Sequence, residues 1–155
     1  MKKVTAEDVE KAHVLLSKIL SPTPLIKNEW LSRAYQCEVY LKLETAQPIG
    51  SFKIRGASYC ISQLSEAERN KGVIAASAGN HAQGVAWGAK QFGADALIVM
   101  PVTAPLTKIQ NTQNLGATVK LEGENYDESF AAAQKIAQES GRTYVHAFHN
   151  ENVIA

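Results

Sequence analysis

The sequence predicts an α/β fold in which a parallel β-sheet is flanked by helices. Four short β-prone runs recur about 20 to 26 positions apart, at 73–76, 96–100, 117–121 and 143–145. Helical patterns fill the intervals, and strand–helix alternation at this spacing produces right-handed crossovers between parallel strands. Ligands of such sheets bind beyond the carboxyl ends of the strands.

Three elements are predicted before this repeat. An amphipathic helix begins near Thr5 and is stopped by the Ser-Pro-Thr-Pro run at 21–24. The alternating run 38–44 predicts a half-buried strand, and Ser51 is placed to cap a helix that runs to about Leu64. Within the repeat, helices are predicted over 81–92, 105–115 and 126–139, and each is followed by a glycine that ends it, Gly93, Gly116 and Gly141.

Composition narrows the class of protein. The 155 residues suffice for one core without disulfides or metals, and a net charge of +1 gives no field that attracts nucleic acid or anionic lipid. Cys37 and Cys60 form no CxxC motif, which argues against a disulfide scaffold or a zinc ribbon. Since no apolar run is long enough for a signal or a membrane span, we expect a cytoplasmic protein without a membrane partner.

The first candidate site is the turn Ser77-Ala78-Gly79-Asn80-His81, which follows a predicted strand and opens a helix. Free backbone N–H groups and the positive end of the helix dipole favour a carboxylate or phosphate there. Ser77 and Asn80 add side-chain hydrogen bonds. An ordinary capped turn is the alternative interpretation, because Ser and Asn are common helix caps.

The second candidate is Lys53, in the first turn of the helix that Ser51 caps. The positive end of the helix dipole and the apolar neighbours Phe52 and Ile54 favour the neutral amine that Schiff-base chemistry needs. For a single lysine, however, a solvated surface position is the commoner explanation.

The segments 51–57, Ser-Phe-Lys-Ile-Arg-Gly-Ala, and 77–84, Ser-Ala-Gly-Asn-His-Ala-Gln-Gly, together resemble the lysine motif and the asparagine loop of threonine dehydratases. These enzymes belong to the tryptophan-synthase-β-like group that uses pyridoxal 5'-phosphate (PLP). The resemblance implies that Lys53 is the Schiff-base lysine and the base at the substrate Cα. It further implies that Phe52 packs near the cofactor ring, that Asn80 binds its 3-hydroxyl, and that Ser77, Asn80 and His81 surround the substrate carboxylate.

The implied reaction is the dehydration and deamination of L-threonine, and of L-serine, to 2-oxobutanoate or pyruvate and ammonia. The family continues into a glycine-rich loop that binds the cofactor phosphate, whereas this sequence has no Gly-Gly pair and ends at Ala155. We therefore expect an N-terminal fragment that is inactive alone and associates with itself. By the same resemblance, 1–46 and 147–155 belong to a larger domain, and 47–146 form the smaller α/β domain.

The sequence leaves two alternatives to a threonine dehydratase. Serine racemase shares both motifs, but it carries a catalytic serine at the position of Ala78, whose methyl group delivers no proton. A non-catalytic α/β binding or regulatory module fits the missing phosphate loop. The remaining features have plainer explanations: His146 and His149 as loop histidines, Cys60 as a buried thiol, and Trp30 as a packing residue.

Overall fold

The computed structural model describes residues 3–155, so the first two residues of the N-terminal segment lie outside the described residues. Strands lie at β1 (Leu25–Lys27), β2 (Tyr40–Lys42), β3 (Val73–Ala76), β4 (Ala96–Met100), β5 (Thr118–Leu121) and β6 (Thr143–Tyr144). The α-helices among the described residues are α1 (Ala6–Leu16), α2 (Glu29–Tyr35), α3 (Lys53–Ser62), α4 (Glu66–Lys71), α5 (Asn80–Gln91), α6 (Leu106–Asn114), α7 (Tyr126–Ser140) and α8 (Glu151–Ile154).

The predicted fold class is confirmed. Strands β3 to β6 form one parallel sheet in the order β5-β4-β3-β6. Side chains alternate across β3: Val73 and Ala75 pack with α3 and α5, while Ile74 and Ala76 pack with α7 on the other face. Helices therefore cover both faces, and β3 and β4, which are almost wholly buried, read as continuous apolar runs.

The helix ends within the repeat follow the sequence prediction closely. Gly93, Gly116 and Gly141 all have positive φ angles, of 66°, 98° and 72°, and each lies just beyond a helix. A residue without a side chain adopts this left-handed conformation at little cost, so glycine ends the helices where the sequence indicates.

The N-terminal part departs from the prediction in its details. Helix α1 starts with a capping box between Thr5 and Asp8, but it ends at Leu16. Residues 18–20 continue in tighter turns that still bring Leu20 into a cluster with Ile54 and Tyr59 of α3. Apolar periodicity thus predicts the burial of Ala12, Leu16 and Leu20 correctly, but Val9, which shares the same period, is 47% exposed and the helix ends earlier than predicted.

Strands β1 and β2 form a separate antiparallel pair. The alternation predicted for 38–44 is present, because Val39, Leu41 and Leu43 are half-buried while the residues between them are exposed, although only Tyr40–Lys42 pair as a strand. The interpretation of Trp30 as a packing residue is wrong for this chain: it lies on α2 and is 72% exposed. No helix within residues 3–155 is long and apolar enough to cross a bilayer.

Candidate active site

The candidate site lies at the carboxyl edge of the parallel sheet. Strands β3 and β6 are hydrogen-bonded neighbours that run in the same direction, so the segments that follow them emerge side by side. Ser77 begins the segment after β3, and Val145, His146 and Ala147 begin the segment after β6. This is the edge at which parallel sheets bind ligands.

Lys53 is the first residue of α3. Its backbone N–H donates to the Ser51 hydroxyl at 3.3 Å, so Ser51 supports the start of the helix although Phe52 occupies the capping position. The Lys53 amine donates to the carbonyl oxygen of Ala147 at 2.9 Å and lies 5.4 Å from the centre of the Phe52 ring. The lysine therefore reaches the segment after β6, across the gap between α3 and the sheet edge.

The position of α3 depends on small residues in α5. A Cβ atom on Gly84 would lie 2.8 Å from the backbone oxygen of Lys53, and one on Gly88 would lie 3.0 Å from Cα of Ser58. Both distances are shorter than ordinary carbon contacts. Glycine at these positions therefore lets the two helices approach closely, and it brings the lysine next to the first turns of α5.

An ion pair fixes the same end of α3 from the other side. Arg55 donates two hydrogen bonds to the Glu44 carboxylate, at 2.8 and 2.9 Å, in the bidentate geometry that favours Arg–carboxylate pairs. Thr23 and Gln47 also donate to this carboxylate. Arg55, foremost among these donors, lowers the pKa of Glu44 to about 2, so the carboxylate is ionised at neutral pH.

The turn before α5 has the features of an anion site. The Ser77 hydroxyl accepts from the N–H of Gly79 at 3.1 Å, and α5 begins at Asn80 without a side-chain cap. The amide groups of the first turn therefore have no partner within the helix. Asn80 is exposed and Ser77 is half-buried, so both side chains are accessible at this edge.

The ring of His81 ties this turn to the segment after β6. Nε2 lies 2.9 Å from the carbonyl oxygen of Val145, to which it donates, and the buried Nδ1 has no hydrogen-bond partner among the described residues. Burial, with a smaller contribution from the Lys53 charge, lowers the pKa of His81 to about 4. The ring is therefore neutral at pH 7, and Nδ1 is a free acceptor.

A cavity of about 810 Å³ borders Lys53, and its volume is in the range of small-molecule sites. Phe52, Arg55 and Ala147 also line it, together with residues of α1 and α8. Ser77, Asn80 and His81 lie outside the cavity. A ligand that contacts both Lys53 and the asparagine turn would thus extend from the cavity toward the edge of the sheet.

A parallel sheet that presents an amine and an uncapped helix N-terminus at its carboxyl edge is typical of α/β proteins that bind small anionic ligands. A family model described as "Pyridoxal-phosphate dependent enzyme" matches residues 16–155. The chain belongs to this family.

Individual relatives agree with the family. The chain is 51% identical over 152 residues to the L-threonine ammonia-lyase of Thermotoga maritima, covering 98% of this chain and 38% of that protein. Among solved structures, threonine deaminase isoform 2 from Solanum lycopersicum matches with a TM-score of 0.86 and 37% identity over 97% of this chain and 45% of that one. Maize serine racemase matches with a TM-score of 0.92 and 27% identity over 99% and 46%. The chain spans less than half the length of each.

The residues around Lys53 fit part of this family's cofactor. The Lys53 amine borders the cavity beside an aromatic ring, and His81 offers an orphaned buried nitrogen nearby. Amide groups at the start of α5 favour negative charge. The sequence contains no Gly-Gly pair with which to form a glycine-rich phosphate loop. The chain thus offers groups for the reacting and aromatic parts of the cofactor.

Proposed function

We propose that this chain carries the lysine and the asparagine loop of a threonine ammonia-lyase, in which Lys53 is the Schiff-base lysine of PLP. The proposed reaction converts L-threonine to 2-oxobutanoate and ammonia, or L-serine to pyruvate and ammonia. One observation carries the proposal: the amine of Lys53 and the ring of His81 hydrogen-bond to carbonyl groups two residues apart, Ala147 and Val145. Two motifs that are distant in sequence are thereby joined at one sheet edge.

We assign the residue roles from this arrangement. Ser77 and the first amides of α5, including those of Asn80 and His81, bind the substrate carboxylate, because they are the uncapped positive end of a helix. The Asn80 side chain donates to the 3-hydroxyl oxygen of the cofactor, and Phe52 packs beside its ring. The neutral His81 ring holds the turn against Val145.

When bound, the cofactor acts as an electron sink that stabilises negative charge at the substrate Cα. Lys53 removes the Cα proton as general base. The β-hydroxyl takes up a proton, which balances the one that Lys53 removes, and leaves as water. The released enamine takes up one water molecule and yields the 2-oxo acid and ammonia, so that atoms and charge balance. Lys53 is placed for this role because its side chain lines the cavity and its amine has the carbonyl oxygen of Ala147 as its hydrogen-bond partner.

Serine racemase is the second candidate, since solved racemases are similar to the chain over nearly its whole length. Racemisation needs an acid–base group on the face opposite the lysine. Ala78 is half-buried and its methyl group packs against the core of the domain, so this position supplies no proton. We therefore favour elimination over racemisation.

We also propose the division into a larger domain, 1–46 and 147–155, and a smaller one, 47–146. Exposed apolar side chains on the β1–β2 pair and on α2 support it, because such surface is usually covered by further protein; they are Leu25, Ile26, Trp30, Tyr35 and Tyr40. The same surface supports a homo-oligomer. A cytoplasmic location remains part of the proposal.

Borohydride reduction tests the assignment of the lysine. The protein as its native gene encodes it is incubated with PLP, reduced, digested and mapped by mass spectrometry. We expect the pyridoxyl group on Lys53 and its loss in Lys53→Arg, while Lys42→Arg, which removes another lysine beside the cavity, keeps it. A pyridoxyl group found mainly on a different lysine would contradict the assignment.

The activity needs a separate assay. The same protein is supplied with L-threonine and L-serine, and 2-oxo acid and D-serine are measured together. We expect 2-oxo acid as the main product. Faster formation of D-serine than of pyruvate from L-serine would replace the proposed lyase with a racemase.

A further inference from the structure

The segment after β6 contains a turn whose histidine side chains have no role in the proposed function. We call residues 146–149 the His146 turn. Its backbone folds around the side chain of His146, whose Nδ1 accepts from the N–H of His149 at 3.0 Å and from that of Phe148 at 3.3 Å. Ala147 lies inside this turn, and its carbonyl oxygen is the acceptor for Lys53.

The two ends of the turn are held differently. Before it, Val145 is anchored on both sides, because its N–H donates to Ile74 of β3 at 2.9 Å and its carbonyl accepts from His81 at 2.9 Å. Ala147 has no comparable place in the sheet, since β6 ends at Tyr144. The direction of the Ala147 carbonyl therefore depends on how the backbone turns after Val145.

We propose that His146 is a positioning residue for Lys53: its ring nitrogen folds the 146–149 turn and so directs the Ala147 carbonyl oxygen at the lysine amine. The proposal rests on the proposed function only for its catalytic consequence. Whenever Lys53 is not bonded to the cofactor, the Ala147 oxygen holds the free amine at the edge of the sheet instead of leaving it to rotate into the cavity.

The surroundings of His146 fix its ring in the orientation that the turn needs. Four rings lie with their centres 4.9 to 6.0 Å from that of His146, on β6, on α7 and in the turn itself; they belong to Phe130, Tyr144, Phe148 and His149. In the neutral tautomer that carries its proton on Nε2, Nδ1 is an acceptor only. Burial, and to a lesser degree the neighbouring His149, lowers the pKa of His146, which favours this neutral form.

The reactivity of the Lys53 amine tests the proposal without cofactor or substrate. The 155-residue chain is treated with trace acetic anhydride at neutral pH, and acetylation of each lysine is quantified by mass spectrometry. Lys42 is the internal reference, because its amine also donates to a backbone carbonyl, that of Thr23 at 2.6 Å, far from the turn in sequence. A general loosening of the fold raises the labelling of both lysines, whereas loss of the turn raises that of Lys53 alone.

Three variants separate the role of the His146 ring nitrogen from that of side-chain size. In His146→Leu the acceptor is lost, and we expect the Lys53-to-Lys42 labelling ratio to rise about fivefold, the loss of one ordinary hydrogen bond. In His146→Asn the side-chain oxygen accepts from the amide two residues on, as in common Asx turns, and the ratio should stay within about twofold of wild type. His149→Leu is the matched control for side-chain packing, because it removes one of the four rings around His146 but leaves the Nδ1 acceptor in place, and its ratio should also stay within about twofold of wild type.

A second measurement covers the case in which His146→Leu folds poorly. Amide hydrogen exchange of Phe148 and His149 reports the turn directly: both amides should be protected in wild type, and that of Phe148 should stay protected in His146→Asn. An unchanged labelling ratio in folded His146→Leu, a raised ratio in His146→Asn, or unprotected amides in wild type would each overturn the proposal. Because no assay here uses PLP, these outcomes are independent of whether Lys53 is the Schiff-base lysine.

Discussion

Replacing Glu44 by glutamine should destabilise the chain in a way that disappears at low pH. The Glu44 carboxylate receives both hydrogen bonds of Arg55, a third from the Thr23 hydroxyl at 2.6 Å and a fourth from the Gln47 amide at 3.2 Å. All four donors prefer the ionised acceptor. Glu44→Gln keeps the size of the side chain but removes its charge and replaces one acceptor oxygen by an amide nitrogen, so the variant measures what the carboxylate contributes through these contacts.

The magnitude follows from the pKa. Lowering the pKa of Glu44 from 4.5 to about 2 corresponds to about 3 kcal/mol in favour of the ionised folded state. The side chains of Glu44 and Arg55 are 20% and 32% exposed, so water screens part of this energy, and we expect about 1 to 2 kcal/mol. Because the folded-state pKa is lowered, the contribution is complete above pH 4.5 and is lost as the pH falls toward 2.

Urea unfolding followed by circular dichroism between pH 7 and pH 2 measures the effect. The difference in unfolding free energy between wild type and Glu44→Gln should be about 1 to 2 kcal/mol at pH 7 and should approach zero near pH 2. Other carboxylates titrate in both proteins and cancel in the difference. The control is Glu38→Gln, which breaks an exposed pair with Lys27 and should cost less than about 0.5 kcal/mol. A difference that is independent of pH, or as small as that of the control, would refute the reasoning.

Three further predictions concern packing, thiol reactivity and self-association. Gly84→Ala should lower the unfolding free energy by about 1 to 3 kcal/mol, because the Cβ of the new alanine meets the backbone of α3. Gly79→Ala should cost much less, since a Cβ there has no atom within 4 Å; equal losses of unfolding free energy in urea would contradict this. Iodoacetamide at pH 8 should alkylate the exposed Cys37 in the native chain and Cys60 only after unfolding, since burial raises the pKa of Cys60 to about 11; mass spectrometry of the two peptides decides. The 155-residue chain should elute as dimers or larger species in size-exclusion chromatography. Trp30→Ser should shift the elution toward the monomer, because it removes a ring that is 72% exposed; an unchanged elution volume would contradict a contact between copies at Trp30.

The regular part of the fold was predictable because local and tertiary signals agree there. β3 and β4 are short, apolar and buried on both faces, and glycines with positive φ end the helices between the strands. Strand β1 gives no such signal: its three side chains are all exposed, and its pairing with β2 alone makes it a strand. Helix α2 was missed because seven residues capped by Asn28 carry too little periodicity to separate a helix from a loop.

The residues of the candidate site also fall into those that the sequence predicts and those that it does not. Lys53 and the asparagine turn stand out in the sequence, because each combines a helix start with residues suited to bind a small anion or to react with a carbonyl. The pairing of Glu44 with Arg55 joins a short 3-10 helix, Glu44–Ala46, to the first turn of α3 across eleven positions, and no helical or strand period predicts such a contact. From the sequence His146 is interpreted as a loop histidine. Its role as an acceptor is not predictable there, because it depends on a turn whose start is set by the pairing of β6 with β3.

The packing of α3 against α5 sets the distance between Lys53 and the asparagine turn. Lys53 is the first residue of α3, and Asn80 is the first residue of α5. These helices touch near their starts, where Gly84, one turn into α5, meets the backbone of Lys53. Further along the pair, Ala57 and Val85 are fully buried in one cluster. Lys53 and the asparagine turn are therefore held by one packed unit, and we expect a bulkier side chain at Gly84 or Ala57 to displace them although neither residue is placed in the site.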